Sequence, residues 1–130
     1  MNDILENDVN INTYSPLTLA FLGDSVYDLL VRNMLVKQAN MPVSKLNETK
    51  VKLVNAKSQS KAVEKIMQSL TEEERSVYKR GRNAKVNSVP KHCEISDYHS
   101  ATGLESLFGY LYLQGKMQRI EEIFSLIIED

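Results

Sequence analysis

One carboxylate interrupts an apolar helical segment near the start of the chain. The run from Leu19 to Tyr27 is apolar apart from Ser25 and Asp24. An unpaired charge buried in such a helix costs roughly several kcal/mol, so a carboxylate there is normally paired, exposed in a cleft or bound to a metal. Asp24 is therefore a candidate functional residue, and it requires a fold in which this helix borders a polar site.

A second carboxylate occupies the same kind of setting later in the chain. Glu105 is the only charged residue between Ala101 and Leu113. Gly103 and Gly109 disfavour a helix here by up to about 1 kcal/mol each, and close approach of another helix is the expected compensation.

If the two helices cross, Asp24 and Glu105 meet, and a cation that prefers oxygen ligands, such as Mg²⁺, is the expected guest. A structural alternative stays open on spacing alone. In that alternative Asp24 pairs with Arg32 or caps a neighbouring helix, and Glu105 forms a salt bridge.

Composition indicates one globular domain. The chain has 130 residues, of which 42% are hydrophobic and 25% charged. We expect a single domain over residues 1–130, with residues 1–14 as a flexible N-terminal extension. No apolar run reaches the roughly 18 residues that cross a bilayer, and residues 1–12 carry acids without bases, unlike a secretory leader.

The cysteine and histidine content favours a cytoplasmic protein without a zinc site. Cys93 is the only cysteine, which excludes an internal disulfide and fits a reducing compartment. Its neighbour His92 and the later His99 match no standard zinc spacing. We expect a surface or packing role for both histidines.

Helix signals dominate the chain, and alternating strand patterns are nearly absent, which predicts an all-α fold of about six or seven helices. The predicted helices span residues 16–37, 44–56, 58–70, 72–79, 97–113 and 117–128. The expected caps are Ser15 with Pro16, Ser44, Ser58 or Ser60, and Thr71 with Glu74. Gly81 and Gly115 are expected to end the fourth and fifth helices.

Basic residues cluster although the net charge of the chain is only −1. From Arg75 to Cys93 there is no acid, and the basic residues are Arg75, Lys79, Arg80, Arg82, Lys85 and Lys91. Residues 82–96 include Pro90 and no helical period, so a long loop is predicted. This segment is a candidate phosphate-binding surface, and a merely solvated loop is the alternative.

Two segments resemble the active-site helices of the ribonuclease III family. Residues 19–26 read Leu-Ala-Phe-Leu-Gly-Asp-Ser-Val, and residues 104–113 read Leu-Glu-Ser-Leu-Phe-Gly-Tyr-Leu-Tyr-Leu. The short chain, residues 56–59 and residues 78–85 are similar to the Mini-ribonuclease III branch, which consists of the catalytic domain and lacks a double-stranded-RNA-binding domain. The resemblance covers residues 15–128.

The resemblance implies that Asp24 and Glu105 are the catalytic and metal-binding carboxylates. Two further acids of the wider family fall at Ala20 and Thr102 of this chain, which looks like a trait of the small branch. The reduced set favours one tightly held Mg²⁺ in the free enzyme and a second that arrives with substrate. Mn²⁺ is an acceptable substitute.

Two other residues are candidates for supporting this site without binding the metal directly. Asp28 lies one helical turn beyond Asp24 on the same face, with Arg32 a further turn along. Pairing with Arg32 is the favoured role for Asp28. Thr102 is the second candidate because it stands one turn before Glu105.

The function implied is a homodimeric endoribonuclease that cuts double-stranded RNA by Mg²⁺-assisted hydrolysis, leaving a 5′ phosphate and a 3′ hydroxyl. The implied substrate is the precursor of large-subunit (23S) ribosomal RNA, with ribosomal-protein help in presentation as a further expectation. The expected RNA-binding residues are Lys79, Arg80, Arg82, Asn83 and Lys85. The alternative is a non-catalytic helical RNA-binding or ribosome-associated module, and a helix-turn-helix DNA binder is a weaker one.

Overall fold

A computed structural model describes residues 10–86 and 88–129, and it is helical throughout, with no strand among those residues. Two short 3-10 turns, Ile11–Thr13 and Met67–Ser69, accompany the α-helices. The six α-helices are α1 (Pro16–Gln38), α2 (Val43–Val54), α3 (Ala56–Ile66), α4 (Glu72–Arg82), α5 (Ile95–Leu113) and α6 (Met117–Ile128). The predicted all-α class is confirmed.

Helix α5 is the central element of the fold. It packs against α1, α3, α4 and α6, and its most extensive contact is with α1. Residues from Ala101 to Leu111 are buried almost without interruption, as its nearly uniform hydrophobicity requires. Leu104, Leu107 and Phe108 have no exposed surface.

Two predicted helix starts are confirmed in atomic detail. The Ser15 side chain accepts a hydrogen bond from the Thr18 amide, with Pro16 opening α1. Thr71 and Glu74 form a reciprocal capping box at the start of α4, which satisfies two backbone N–H groups that the helix itself leaves unpaired.

Two other predicted caps were wrong. Helix α2 begins at Val43, after Pro42, without a side-chain cap, so Ser44 is already inside the helix. Helix α3 is capped by Asn55, whose side chain accepts from the Ser58 amide. Asn55 therefore moves the start of α3 two residues or more ahead of the predicted serine caps.

The predicted stop at Gly81 was also wrong, because this glycine lies inside α4. A Cβ at Gly81 would come within 2.4 Å of the Ser106 hydroxyl on α5. Gly81 thus serves close packing between the two helices rather than termination. Gly115, in contrast, has φ +72° just after α5, which confirms it as a C-terminal stop.

The Arg119–Glu74 ion pair and hydrogen bonds from Lys65 tie the last helix to the body of the fold. Arg119 of α6 binds Glu74 of α4 through two hydrogen bonds of 2.9 and 2.8 Å and also donates to the Ser69 carbonyl. From α3, the Lys65 ammonium donates to the carbonyls of Ile127 and Glu129. These contacts satisfy carbonyls at the end of α6 that have no helical partner.

The predicted flexible extension falls largely on residues 1–9, which lie outside the described residues. Of the remaining five, Ile11 and Tyr14 pack against the hydrophobic core. None of the described helices is both long enough and apolar enough to span a membrane.

Candidate active site

Two glycines, Gly23 and Gly109, allow the main chains of the helices that carry Asp24 and Glu105 to come into contact. A Cβ at Gly23 would lie 1.7 Å from the Glu105 carbonyl oxygen, and a Cβ at Gly109 would lie 2.0 Å from the Leu19 carbonyl oxygen. Side chains are therefore excluded from the crossing of α1 and α5. The close approach expected for Gly109 is confirmed, and Gly103 has a similar role because its α-carbon faces the Tyr78 ring.

The crossing places the two predicted carboxylates side by side at its edge. Asp24 follows Gly23 and is exposed, whereas Glu105 is only partly accessible. The carboxyl groups are close enough to share a hydrogen bond. The structural alternative for Asp24, an ion pair with Arg32, does not occur, since Arg32 binds Asp28 instead.

The proximity of the two carboxyl groups changes the ionisation of Glu105. Burial, followed by the charge of Asp24 and a hydrogen bond with it, raises the pKa of Glu105 to about 8. The Gln59 amide acts in the opposite direction. The direction of the shift has a simple cause, because a second negative charge beside Asp24 is unfavourable.

Tyr27 is a buried core residue close enough to Glu105 to be affected by its charge. Its ring stacks on Phe108 with centroids 5.3 Å apart and meets Phe124 edge to face at 5.8 Å. Burial, with the charge of Glu105 as a smaller cause, raises the pKa of Tyr27 to about 12. Tyr27 is therefore a neutral phenol at any physiological pH.

A groove of about 320 Å³ opens next to Asp24 along the exposed face of α1. Its lining residues are Asp24, Ser25, Asp28, Leu29 and Arg32. Asp28 accepts a hydrogen bond from Arg32 at 2.5 Å and lies 3.3 Å from the Lys50 ammonium of α2. The favoured pairing of Asp28 with Arg32 is confirmed, and Lys50 adds a second cation that the sequence did not indicate.

Ala20 and Thr102 stand where the wider family has two further acids, and both residues are buried. Ala20 is buried, with 7% of its surface exposed. Thr102 is buried as well, and its hydroxyl donates to the Tyr98 carbonyl one turn back on α5. The structure therefore directs the Thr102 hydroxyl towards its own helix, and a supporting role for Thr102 beside Asp24 and Glu105 stays a prediction.

Gln59 is a site residue that sequence reasoning missed. Its Nε2 atom donates to Oε2 of Glu105 at 3.5 Å from helix α3. A signal was available in the sequence, because Gln59 interrupts an apolar stripe that continues through Ala62, Val63 and Ile66. A polar residue in such a stripe calls for a buried partner.

The described residues contain no group of three or more His, Cys, Asp and Glu side chains arranged to hold a metal. The Asp24 and Glu105 pair therefore stands without a third acid. His99 is packed on α5, with its Nδ1 atom buried and lacking a hydrogen-bond partner in the described structure, in keeping with the packing role expected for it.

The basic cluster lies mainly on a helix and not in a loop. Lys79 and Arg80 are exposed on the last turn of α4, Arg82 ends that helix, and Asn83 is its C-cap. The Arg82 guanidinium lies 5.7 Å from the centre of the Tyr78 ring, a cation–π distance. The loop predicted over residues 82–96 begins after Arg82, because α4 continues past Lys79 through Gly81, and Lys85 and Lys91 follow the helix.

Comparison with known proteins identifies the family. Residues 17–116 match the family model of the Ribonuclease III domain. A Mini-ribonuclease 3 from Thermoanaerobacter sp. is 47% identical over 115 residues, covering 88% of this chain and 81% of that protein. A Mini-ribonuclease 3 from Staphylococcus aureus is 36% identical over 125 residues, covering 95% of this chain and 93% of that protein.

The fold has a counterpart among solved structures. The crystal structure of a Fusobacterium nucleatum protein matches with a TM-score of 0.83 and 36% identity, covering 93% of this chain and 97% of that chain. The chain belongs to the ribonuclease III family. Its relatives lie in the Mini-ribonuclease III branch, which confirms the predicted resemblance and makes the protein a ribonuclease.

Proposed function

We propose that this ribonuclease is an endonuclease for double-stranded RNA that hydrolyses phosphodiester bonds with the help of a divalent cation held by Asp24 and Glu105. The observation that carries this proposal is the convergence of two carboxyl groups, from separate apolar helices, at the glycine-lined crossing of α1 and α5. Such a pair is unfavourable by itself and becomes favourable when a cation lies between its members.

The residues present fit a hard divalent cation. Mg²⁺ commonly takes one or two carboxylates from the protein and completes its coordination with waters and substrate phosphates. Asp24 is exposed and reachable from solvent, and Glu105 is held behind it. Mn²⁺ accepts the same oxygen ligands, and the small acid set favours one cation in the free protein.

A cation bound at this pair supplies charge neutralisation at the phosphate and a water of lowered pKa. Asp24 and Glu105 would hold it through their ionised carboxylates. A water molecule would attack phosphorus: its oxygen forms the new bond to phosphorus, the bond to the 3′ oxygen breaks, and the proton that the water loses ends on that 3′ oxygen. The products are then a 5′ phosphate and a 3′ hydroxyl.

The basic end of α4 is the proposed RNA-binding surface. It is anchored to the helix that carries Glu105, because Gly81 packs against Ser106 of α5. Cationic side chains at this spacing neutralise phosphates, and recognition of an A-form duplex rests mostly on its shape. The proposed contacts are Lys79, Arg80, Arg82, Asn83 and Lys85.

A homodimer is the proposed assembly. Phe21 on α1 is 84% exposed, and Leu17, one turn earlier, is 40% exposed. A large aromatic side chain in water next to a second apolar residue favours a protein partner. A two-fold pair of identical sites suits cleavage of two antiparallel strands, so a second copy of this chain is the partner we propose.

The cellular role follows only from the family. We propose maturation of the 23S ribosomal RNA precursor in the cytoplasm, with ribosomal proteins assisting substrate presentation. The alternative is an RNA-binding module of the same fold without catalysis. The retention of both Asp24 and Glu105 at one site favours the enzyme.

Cleavage of a long RNA duplex tests the proposal directly. Wild-type protein is compared with Asp24→Asn and Glu105→Gln, in Mg²⁺ and in EDTA, with circular dichroism to check folding. Glu121→Gln, an exposed neutralisation on α6, is the matched control. We expect cutting by the wild type and the control in Mg²⁺ alone; RNA binding without cutting by the wild type would favour the non-catalytic module.

A further inference from the structure

Helix α3 presents a polar residue where its own pattern calls for an apolar one. Its buried residues are Gln59, Ala62, Val63 and Ile66, which share one face. Gln59 is only 2% exposed. A primary amide at that depth is unfavourable unless it is hydrogen-bonded, so its partner explains its presence.

The partner of Gln59 is the cation-site carboxyl group. Nε2 of Gln59 donates to Oε2 of Glu105 at 3.5 Å, across 46 residues of sequence. Glu105 is therefore contacted from two helices besides its own: α1 brings Asp24, and α3 brings the amide. The hydrogen bond limits the rotation of the Glu105 side chain within a site that is open on the Asp24 side.

The choice of a neutral donor distinguishes Glu105 from two other shielded carboxylates of the protein. Glu74 is bound by the Arg119 guanidinium, and Asp28 is bound by Arg32 and Lys50. Those cations cancel the charge of the carboxylate they hold. An amide fixes a carboxylate without cancelling its charge, which leaves that charge available to a bound cation.

We propose that Gln59 is a positioning residue for the cation site, where its buried amide holds the Glu105 carboxylate facing Asp24 while leaving its negative charge intact. This inference rests on the proposed function, because it assumes that Asp24 and Glu105 bind a divalent cation. It assigns a role in cation affinity to a helix that contributes no charged group to the site.

Cation binding by the free protein tests the role of Gln59 without requiring RNA cleavage. Mn²⁺ is titrated into wild-type protein, Gln59→Leu and Gln59→Met, and free Mn²⁺ is followed by electron paramagnetic resonance. Both variants put an apolar side chain of similar size at position 59 and remove the hydrogen-bond donor. We expect dissociation constants about 10 to 100 times higher than that of the wild type.

A packing control separates positioning from loss of structure. Val63→Ala removes buried volume from the same face of α3 and removes no hydrogen-bond donor. We expect Val63→Ala to lower the unfolding temperature and leave Mn²⁺ affinity unchanged. Weakened Mn²⁺ binding in Val63→Ala equal to that in the Gln59 variants would overturn the inference.

The kinetics of cleavage supply a second readout. For the Gln59 variants we expect the Mg²⁺ concentration at half-maximal rate to rise, and kcat at saturating Mg²⁺ to recover to near the wild-type value. Folded Gln59 variants with wild-type Mn²⁺ affinity would overturn this inference while leaving the proposed function intact. A wild-type protein that binds no Mn²⁺ and cuts no RNA would overturn the proposed function itself.

Discussion

Replacing Gly23 by Ala tests the helix crossing on which the site depends. Gly23 lies inside α1, where Ala is intrinsically better by about 1 kcal/mol. At this position, however, the added Cβ would lie 1.7 Å from the Glu105 carbonyl oxygen, 2.6 Å from its carbonyl carbon and 2.8 Å from the Gly109 nitrogen. All three atoms belong to the main chain of α5, so no side chain can rotate out of the way.

The magnitude follows from the size of this overlap. A relaxed contact needs about 3.5 Å, so α1 and α5 must separate by roughly 1.5–2 Å at the crossing. Overpacking costs typically about 1–3 kcal/mol, and a clash between two backbones belongs at the upper end. After the gain of about 1 kcal/mol in helix propensity, a net loss of about 2 kcal/mol remains.

Thermal and urea unfolding measure this loss. At roughly 3–4 °C per kcal/mol for a chain of this size, we expect the Gly23→Ala midpoint to fall by about 6–8 °C. Ser25→Ala, an exposed substitution two residues along the same helix, is the control and should leave the midpoint within about 2 °C. Equal or higher stability of Gly23→Ala would refute the close crossing, since helix propensity alone predicts that sign.

Three further predictions address stability, RNA binding and assembly. Burial opposes ionisation of Glu74, but hydrogen bonds from Arg119 and Thr71 outweigh it and lower its pKa. The stability that ionised Glu74 contributes is therefore present above its unfolded pKa of about 4.3 and is lost as pH falls through its folded pKa. Glu74→Gln should be less stable than the wild type at pH 7 and should lose less stability on acidification. Equal pH slopes of the two proteins in urea unfolding would contradict this. The double variant Arg80→Gln, Arg82→Gln should keep its circular dichroism spectrum, bind duplex RNA more weakly and show a salt dependence shallower by about 1–2 units of log–log slope; an unchanged slope would remove these residues from the interface. Phe21→Ser should shift sedimentation from dimer to monomer, and a wild type that sediments as a monomer would refute the dimer.

Most of the fold could be predicted from local signals in the sequence. Helix caps act through backbone groups within a few residues, so their effects can be predicted without the rest of the chain. Examples are Pro16 after a serine, the Thr71 capping box and Gly115. The prediction failed where tertiary contact decided the outcome. Gly81 looks like a helix stop in isolation, but its lack of a side chain is used by α5.

That error also displaced the basic surface. Because Gly81 continues α4, Lys79, Arg80 and Arg82 lie on a helical turn whose direction is fixed by packing against α5. Side chains on a helical turn have a defined spacing, whereas a loop would not determine the spacing of these basic side chains. The same residues were expected to meet phosphate, but their arrangement required knowledge of the α4–α5 contact.

The two carboxylates could be predicted because each breaks an apolar pattern, and an ionisable group among core residues needs a specific partner. The same logic applies to Gln59, which interrupts the buried face of α3. A buried amide is a weaker indication of a specific partner than a buried charge, because the amide can form its hydrogen bonds with backbone groups or water. Only the packing of α3 against α5 shows that its partner is Glu105, and so the neutral member of the site was the one that sequence reasoning missed.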